Sequence, residues 1–283
     1  GNYGAALAGD DFFKYPFFEF ATRYTAATGE SLLRGYRDKH KAVLWIYFLI
    51  TLVSMFTVTA AVTFITSGLL DNLFGLSALF PWMNLTVVSG LVFLIIVVIL
   101  ALGQFSVLDN LLKVVATVLL ISTVCAFVVA LFQPAPARVP GFLAPDLTTP
   151  ASLFFIIALM GWMPTAIDIG TWSSIWSMEK IKLSGYRPTL KEALTDFKIG
   201  YLISAVLALV FMSMGALMIY GTGTELSNSS TVFASQVIQI YTGALGQGFY
   251  WIVAVAAFST MFSTSITVLD GYSRAFAESV LLL

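Results

Sequence analysis

One run near the middle of the chain joins a helix break to polar and soft donor groups: Leu159-Met160-Gly161-Trp162-Met163-Pro164-Thr165-Ala166-Ile167-Asp168-Ile169-Gly170. Pro164 removes a backbone donor and its ring clashes with the preceding turn, and Gly161 weakens the helix beside it. The Met163 thioether, the Thr165 hydroxyl and the Asp168 carboxylate all lie close to that break. The run sits inside an apolar stretch long enough to cross a bilayer. A break there frees backbone carbonyls, and such backbone is tolerated at membrane depth only when buried in protein or lining a cavity. Interrupted helices are how many transporters build substrate and ion sites near the midplane. The plainer alternative is a proline kink that only bends a packed helix.

The elements that must position this run are apolar helices. The chain has 283 residues, 59% hydrophobic and only 10% charged, with a mean hydropathy of +0.92. Charge-free stretches cover 42–70, 72–108, 114–137, 147–167, 199–224 and 226–269. A spanning helix needs about 20 mostly apolar residues, so 72–108 and 226–269 must also hold turns or interfacial pieces. The expected class is an all-α polytopic membrane protein, organised as a single transmembrane domain over 1–283. Seven spans are expected, at about 5–24, 43–69, 83–103, 106–132, 151–176, 198–221 and 247–272. The first is the least apolar and contains Pro16. The segment 133–137 (Gln-Pro-Ala-Pro-Ala) with Pro140-Gly141 reads as a stiff loop, and 231–243 as a short amphipathic helix at the membrane interface. The start at Gly1, with neither initiator Met nor signal peptide, and the stop at Leu283 read as a fragment of a longer protein.

The basic residues orient this layout. Arg23, Arg34, Arg37, Lys39, Lys41, Lys113, Lys180, Lys182, Arg187, Lys191, Lys198 and Arg274 all fall on one side of the seven spans, and Arg138 alone on the other. Lys and Arg collect on the cytoplasmic side, so loops 23–41 and 177–198 are expected there, in a bacterial inner membrane. A net charge of −1 and a pI near 5.8 argue against a nucleic-acid partner. Cys125 lies in an apolar run and is expected to be a small buried side chain. His40 sits in a basic loop and belongs to no ligand cluster. No phosphate loop, metal cluster or nucleophile elbow is present, so no enzyme and no bound cofactor are expected. The Asn228-Ser229-Ser230 sequon falls in a loop on the other side.

Charges at membrane depth are costly and suggest function by default. Asp10 and Asp11 with Lys14, Glu19 with Arg23, Asp109 with Lys113, and Asp270 with Arg274 are spaced to pair locally on one helix face. Asp168 has no basic residue three or four positions away, which makes it a better functional candidate. Hydroxyls cluster at Thr57, Thr59, Thr63, Thr66 and Ser67, and again at Ser259, Thr260, Ser263, Thr264, Ser265 and Thr267. They serve either close helix packing or a hydrophilic path.

Four segments together resemble the Nramp family of divalent metal-ion transporters, and more closely a divergent bacterial Nramp-related branch. They are Phe13-Lys-Tyr-Pro-Phe-Phe-Glu-Phe, Ala27-Thr-Gly-Glu-Ser-Leu-Leu-Arg-Gly-Tyr-Arg, Met160-Gly-Trp-Met-Pro, and Met261-Phe-Ser-Thr-Ser-Ile-Thr-Val-Leu-Asp-Gly-Tyr. The resemblance covers the family's second to eighth spans. It implies a LeuT-like inverted-repeat transporter core, incomplete in this chain, with its first and sixth helices broken around the site. It implies transport of manganese- or iron-like metals, with magnesium an alternative. The metal is the transported substrate, held by the Met163 sulfur and the Met160 carbonyl. A thioether beside oxygen ligands favours transition metals. Thr165, Asp168 and Thr59 would line the path or support those ligands.

The departures are specific. The family's histidine after the proline is Thr165 here, its second sixth-helix histidine is Gly170, and Thr59 and Val62 stand in place of an acidic pair linked to proton movement. The family's Asp-Pro-Gly-Asn motif is absent from this chain. Two other readings remain open at this level: the same fold carrying an organic substrate such as an amino acid, and a membrane scaffold that transports nothing.

Overall fold

The computed structural model describes residues 2–102, 105–133, 139–142, 146, 148–162, 165, 166, 168–224, 226, 227 and 229–283, with backbone alone for 2–8, 10, 11, 105–116, 119, 151 and 162. The expected loop segment 134–138 with Arg138, Asn228 of the sequon, and Met163 and Pro164 lie outside the described residues, as do the side chains of Asp10, Asp11, Asp109 and Lys113.

Among the described residues regular structure is entirely helical. In chain order the helices are α1 (Asn2–Thr28), α2 (Leu32–Lys39), α3 (Lys41–Phe74), α4 (Leu76–Leu79), α5 (Leu85–Leu102), α6 (Phe105–Phe132), α7 (Pro150–Trp162), α8 (Ile169–Ser184), α9 (Leu190–Met218), α10 (Ser230–Leu245) and α11 (Tyr250–Leu282). Among the described residues four stretches are long and apolar enough to cross a membrane, Lys41–Phe74, Leu85–Leu102, Leu190–Met218 and Gln247–Leu282, and two shorter apolar pieces are Leu120–Phe132 and Ser152–Gly161. The chain is thus an all-α membrane protein.

Local sequence sets the helix ends. Thr189 and Glu192 form a reciprocal capping box at the start of α9: the Thr189 N–H donates to Glu192 Oε2 at 2.8 Å and the Glu192 N–H to Thr189 Oγ1 at 3.3 Å. The Glu192 carboxyl also accepts the Tyr186 hydroxyl at 2.9 Å. Pro150 opens α7 where a missing N–H costs nothing. Gly29 ends α1 at φ +74, where its N–H reaches the Thr25 carbonyl at 2.8 Å. The expected pair on α1 is present, with the Arg23 guanidinium donating to Glu19.

Two compact units divide the chain. The first comprises Gly1–Met55, Pro145–Leu209 and Gly271–Leu283, the second Phe56–Ala144 and Val210–Asp270. The helices α3, α9 and α11 each give one part to either unit. In the second unit α10 packs on α6, and Leu69, Ala126, Met214, Ile238 and Val253 share its core. The Thr66 and Ser265 hydroxyls, both buried, meet at 2.8 Å, so this part of the two hydroxyl clusters serves helix packing. The segment expected as a short amphipathic helix is α10, which buries Ala234, Ile238 and Tyr241. Cys125 departs from expectation: it is exposed on α6, not buried. In a lipid-facing helix an apolar run needs no protein partner, so apolar surroundings in sequence do not signal burial there.

In the first unit α1 lies along both α7 and α8. Ala21 of α1 is fully buried, and Gly170 of α8 faces it across ordinary van der Waals space, 3.6 Å from a Cβ built on the glycine to the Ala21 methyl. Gly271 of α11 allows a closer approach: a Cβ there would stand 2.4 Å from the Trp172 ring. The Trp172 and Tyr272 rings meet edge-on with centroids 4.5 Å apart.

These two glycines predict opposite outcomes in detergent melting of purified protein. Gly271→Ala should destabilise by about 1–3 kcal/mol, because the rigid indole must move. Gly170→Ala should be neutral or gain up to about 1 kcal/mol of helix propensity. Equal melting temperatures for both variants would contradict the contact.

Candidate functional site

The break expected within 151–176 is present. The helix stops at Trp162 and a new one starts at Ile169, with Thr165 and Ala166 in irregular backbone and Asp168 in a turn. The last carbonyls of α7 have no partner further along the helix and carry the partial negative charge of a helix C-terminus.

A cation meets them. Lys14 of α1 is only 5% exposed. Its ammonium donates to the Met160 carbonyl in the last turn of α7 and, at 3.3 Å, to the Thr165 carbonyl in the unwound piece. A single amino group therefore joins both sides of the interruption. Met160 itself is partly exposed, so its carbonyl and not its thioether makes this contact. Phe18 and Ala21, one and two turns beyond Lys14 on α1, abut Gly170 of α8 and fix the height at which Lys14 enters.

Asp168 sits at the first turn of α8, where negative charge is favoured by the helix N-terminus. Its Oδ2 accepts the Tyr272 hydroxyl at 3.5 Å, so a phenol takes the place of the missing basic neighbour. Its main-chain carbonyl accepts the Thr171 hydroxyl, which also pairs with the Tyr47 hydroxyl at 2.6 Å. Thr171 is fully buried. Asp168 is thereby held from α3, α8 and α11 together. Thr165 also borders a cavity of about 700 Å³ that runs past Thr22, Ser173 and Ser177 to Lys180 and Glu192 near the α8–α9 loop.

Of the residues singled out from sequence, Met160, Thr165 and Asp168 lie on the interruption in the first unit, whereas Thr59 lies on α3 in the second. Met163 falls outside the described residues. The sequence spacing pairs Lys14 with Asp10 and Asp11, whose side chains lie outside the described residues, and does not show its reach to these carbonyls. The signal available was the cost of a lysine in the middle of an apolar helix. Among the described residues no group of three or more His, Cys, Asp or Glu gathers as a metal-binding set; His40 ends α2 with its N–H on the Tyr36 carbonyl, and its Nδ1 accepts the Ala42 N–H in the first turn of α3 at 3.1 Å.

The Tyr47–Thr171 contact predicts a measurable loss. Thr171→Val leaves the Tyr47 hydroxyl without this partner and should lower stability by about 0.5–1.5 kcal/mol, read as a drop in detergent melting temperature. Tyr47→Phe in the Thr171→Val background should then cost nothing more. An additive second loss would show that the two hydroxyls do not act as a pair.

Comparison with known proteins places these features in a family. The family model described as Nramp, natural resistance-associated macrophage protein-like, matches residues 13–277. The chain is 36% identical over 276 residues to the uncharacterized protein PM0681 of Pasteurella multocida (strain Pm70), with 96% of this chain and 61% of that protein covered. The chain thus spans less than two thirds of that relative's length.

Proposed function

We propose, from the premise that the chain belongs to the Nramp family, that it forms the core of a secondary transporter of divalent metal cations working by alternating access. The observation that carries this reading is the interruption between α7 and α8, where the Met160 and Thr165 carbonyls already engage a positive charge. A transported ion must shed water and find replacement ligands of comparable strength. Main-chain carbonyls at a half-helix C-terminus supply them without charged side chains in the apolar layer.

In this reading Met163 supplies a thioether and Met160 a carbonyl to the metal. The sulfur favours manganese- or iron-like ions over magnesium, which prefers an all-oxygen octahedron. Thr165 and Asp168 support the ligand-bearing backbone, with Asp168 anchored through Tyr272. The cavity from Thr165 toward the α8–α9 loop, whose largely apolar wall carries Thr22, Ser173 and Ser177, serves as the inner passage, in line with an orientation that puts 177–198 in the cytoplasm. The seven spans form a LeuT-like core completed by segments of the longer protein. Thr59 and Val62 stand where the family has an acidic pair, so ion movement proceeds without that proton relay.

The test is manganese uptake into proteoliposomes containing the complete natural protein. Met163→Ala should reduce uptake at least tenfold at subsaturating manganese while leaving the melting temperature within a few degrees. Undiminished uptake in this variant would remove the thioether from the site. Absence of uptake by well-folded wild-type protein would overturn the manganese assignment in favour of magnesium or an organic substrate, which the same vesicles distinguish.

A further inference from the structure

We propose that Lys14 is a tethered cation that competes with the transported metal for the carbonyls of the interrupted helix and thereby sets the affinity and selectivity of the site, an inference that rests on the metal reading above. The Lys14 ammonium, nearly buried, donates to Met160 O and Thr165 O at once. Met160 O is the oxygen that the metal reading assigns as a ligand, so one acceptor serves two cations.

They exclude each other on electrostatic grounds. An ammonium hydrogen-bonded to an oxygen lies about 2.8 Å from it, and a divalent metal coordinated by the same oxygen lies about 2.0–2.5 Å from it. The two charges would then stand within about 5 Å in a medium that screens them poorly. Both lone pairs of the carbonyl are formally available, but repulsion between a monovalent and a divalent charge at that range keeps them from binding together. Metal loading therefore requires the ammonium to leave at least Met160 O.

The tether gives this competition its selectivity. Lys14 is presented by a helix packed on α7 and α8, with Phe18 and Ala21 seated against Gly170. Its effective concentration at the carbonyls is set by that packing and does not depend on the bulk ion concentration. Sodium or potassium offers the carbonyls a single charge, as Lys14 does, and must give up its hydration to do so. A divalent ion offers the same carbonyls twice the charge, which Lys14 cannot match. The lysine thus discriminates by charge. A lysine that only capped α7 would also donate to these carbonyls, but its loss would cost stability and leave metal affinity alone.

The experiment is calorimetric titration of manganese into the complete natural protein in detergent, for wild type, Lys14→Met and Lys14→Arg, repeated with sodium chloride in place of choline chloride. Lys14→Met, of similar length but uncharged, should bind manganese at least tenfold more tightly than wild type, with an affinity that sodium now weakens. Lys14→Arg, which keeps the charge, should stay closer to wild type. Equal or weaker manganese binding by folded Lys14→Met overturns the proposal while leaving the metal reading intact. Should Lys14→Met fail to fold, Lys14→Gln is titrated against the same criteria. Absence of manganese binding in wild type and every variant overturns both.

Discussion

A peptide carbonyl released from a helix inside a bilayer has no water to turn to, and leaving it unmet costs several kcal/mol. That constraint shapes the first unit of this protein. The interruption between α7 and α8 frees carbonyls at Met160 and Thr165, and the Lys14 ammonium crosses from α1 to meet both. The lysine is itself expensive at this depth without oxygen partners. The contact serves both groups, and it lies where α1 packs on α7 and α8.

The surroundings hold the two half-helices by small residues and hydroxyls. Ala21 meets Gly170 and Trp172 covers Gly271, so main chains approach closely on both sides of α8. Thr171 ties α8 to α3 through Tyr47, and Ser174 accepts the Leu32 N–H at 3.1 Å. Asp168 takes its partner from α11. The short helix after the break is thus attached to four others.

Much of this was legible in the sequence where the cause is local. Gly161 and Pro164 marked the interruption, and the Glu19–Arg23 spacing marked an ion pair that exists. What escaped depends on distant partners. Lys14 lies 146 residues from Met160, and its near neighbours Asp10 and Asp11 offered a sufficient local explanation. Cys125 shows a second limit: in a membrane chain apolar surroundings mean either protein or lipid, and periodicity does not separate them. The division into two units left no trace because α3, α9 and α11 run through it without a linker.

The short segment after α1 has a geometric consequence. Ser31 caps α2 and also donates its hydroxyl to Glu278 on α11, while the next residue, Leu32, is held by Ser174 on α8. Two adjacent residues pinned to two helices fix the base of α1 against both. Lys14 stands about 20–25 Å from that base along α1, at 1.5 Å per residue. At that distance a change of about 8° in the direction of α1 would displace the ammonium by roughly 3 Å, the full reach of a hydrogen bond. The contacts at Ser31 and Leu32 therefore help decide where the ammonium of Lys14 comes to rest.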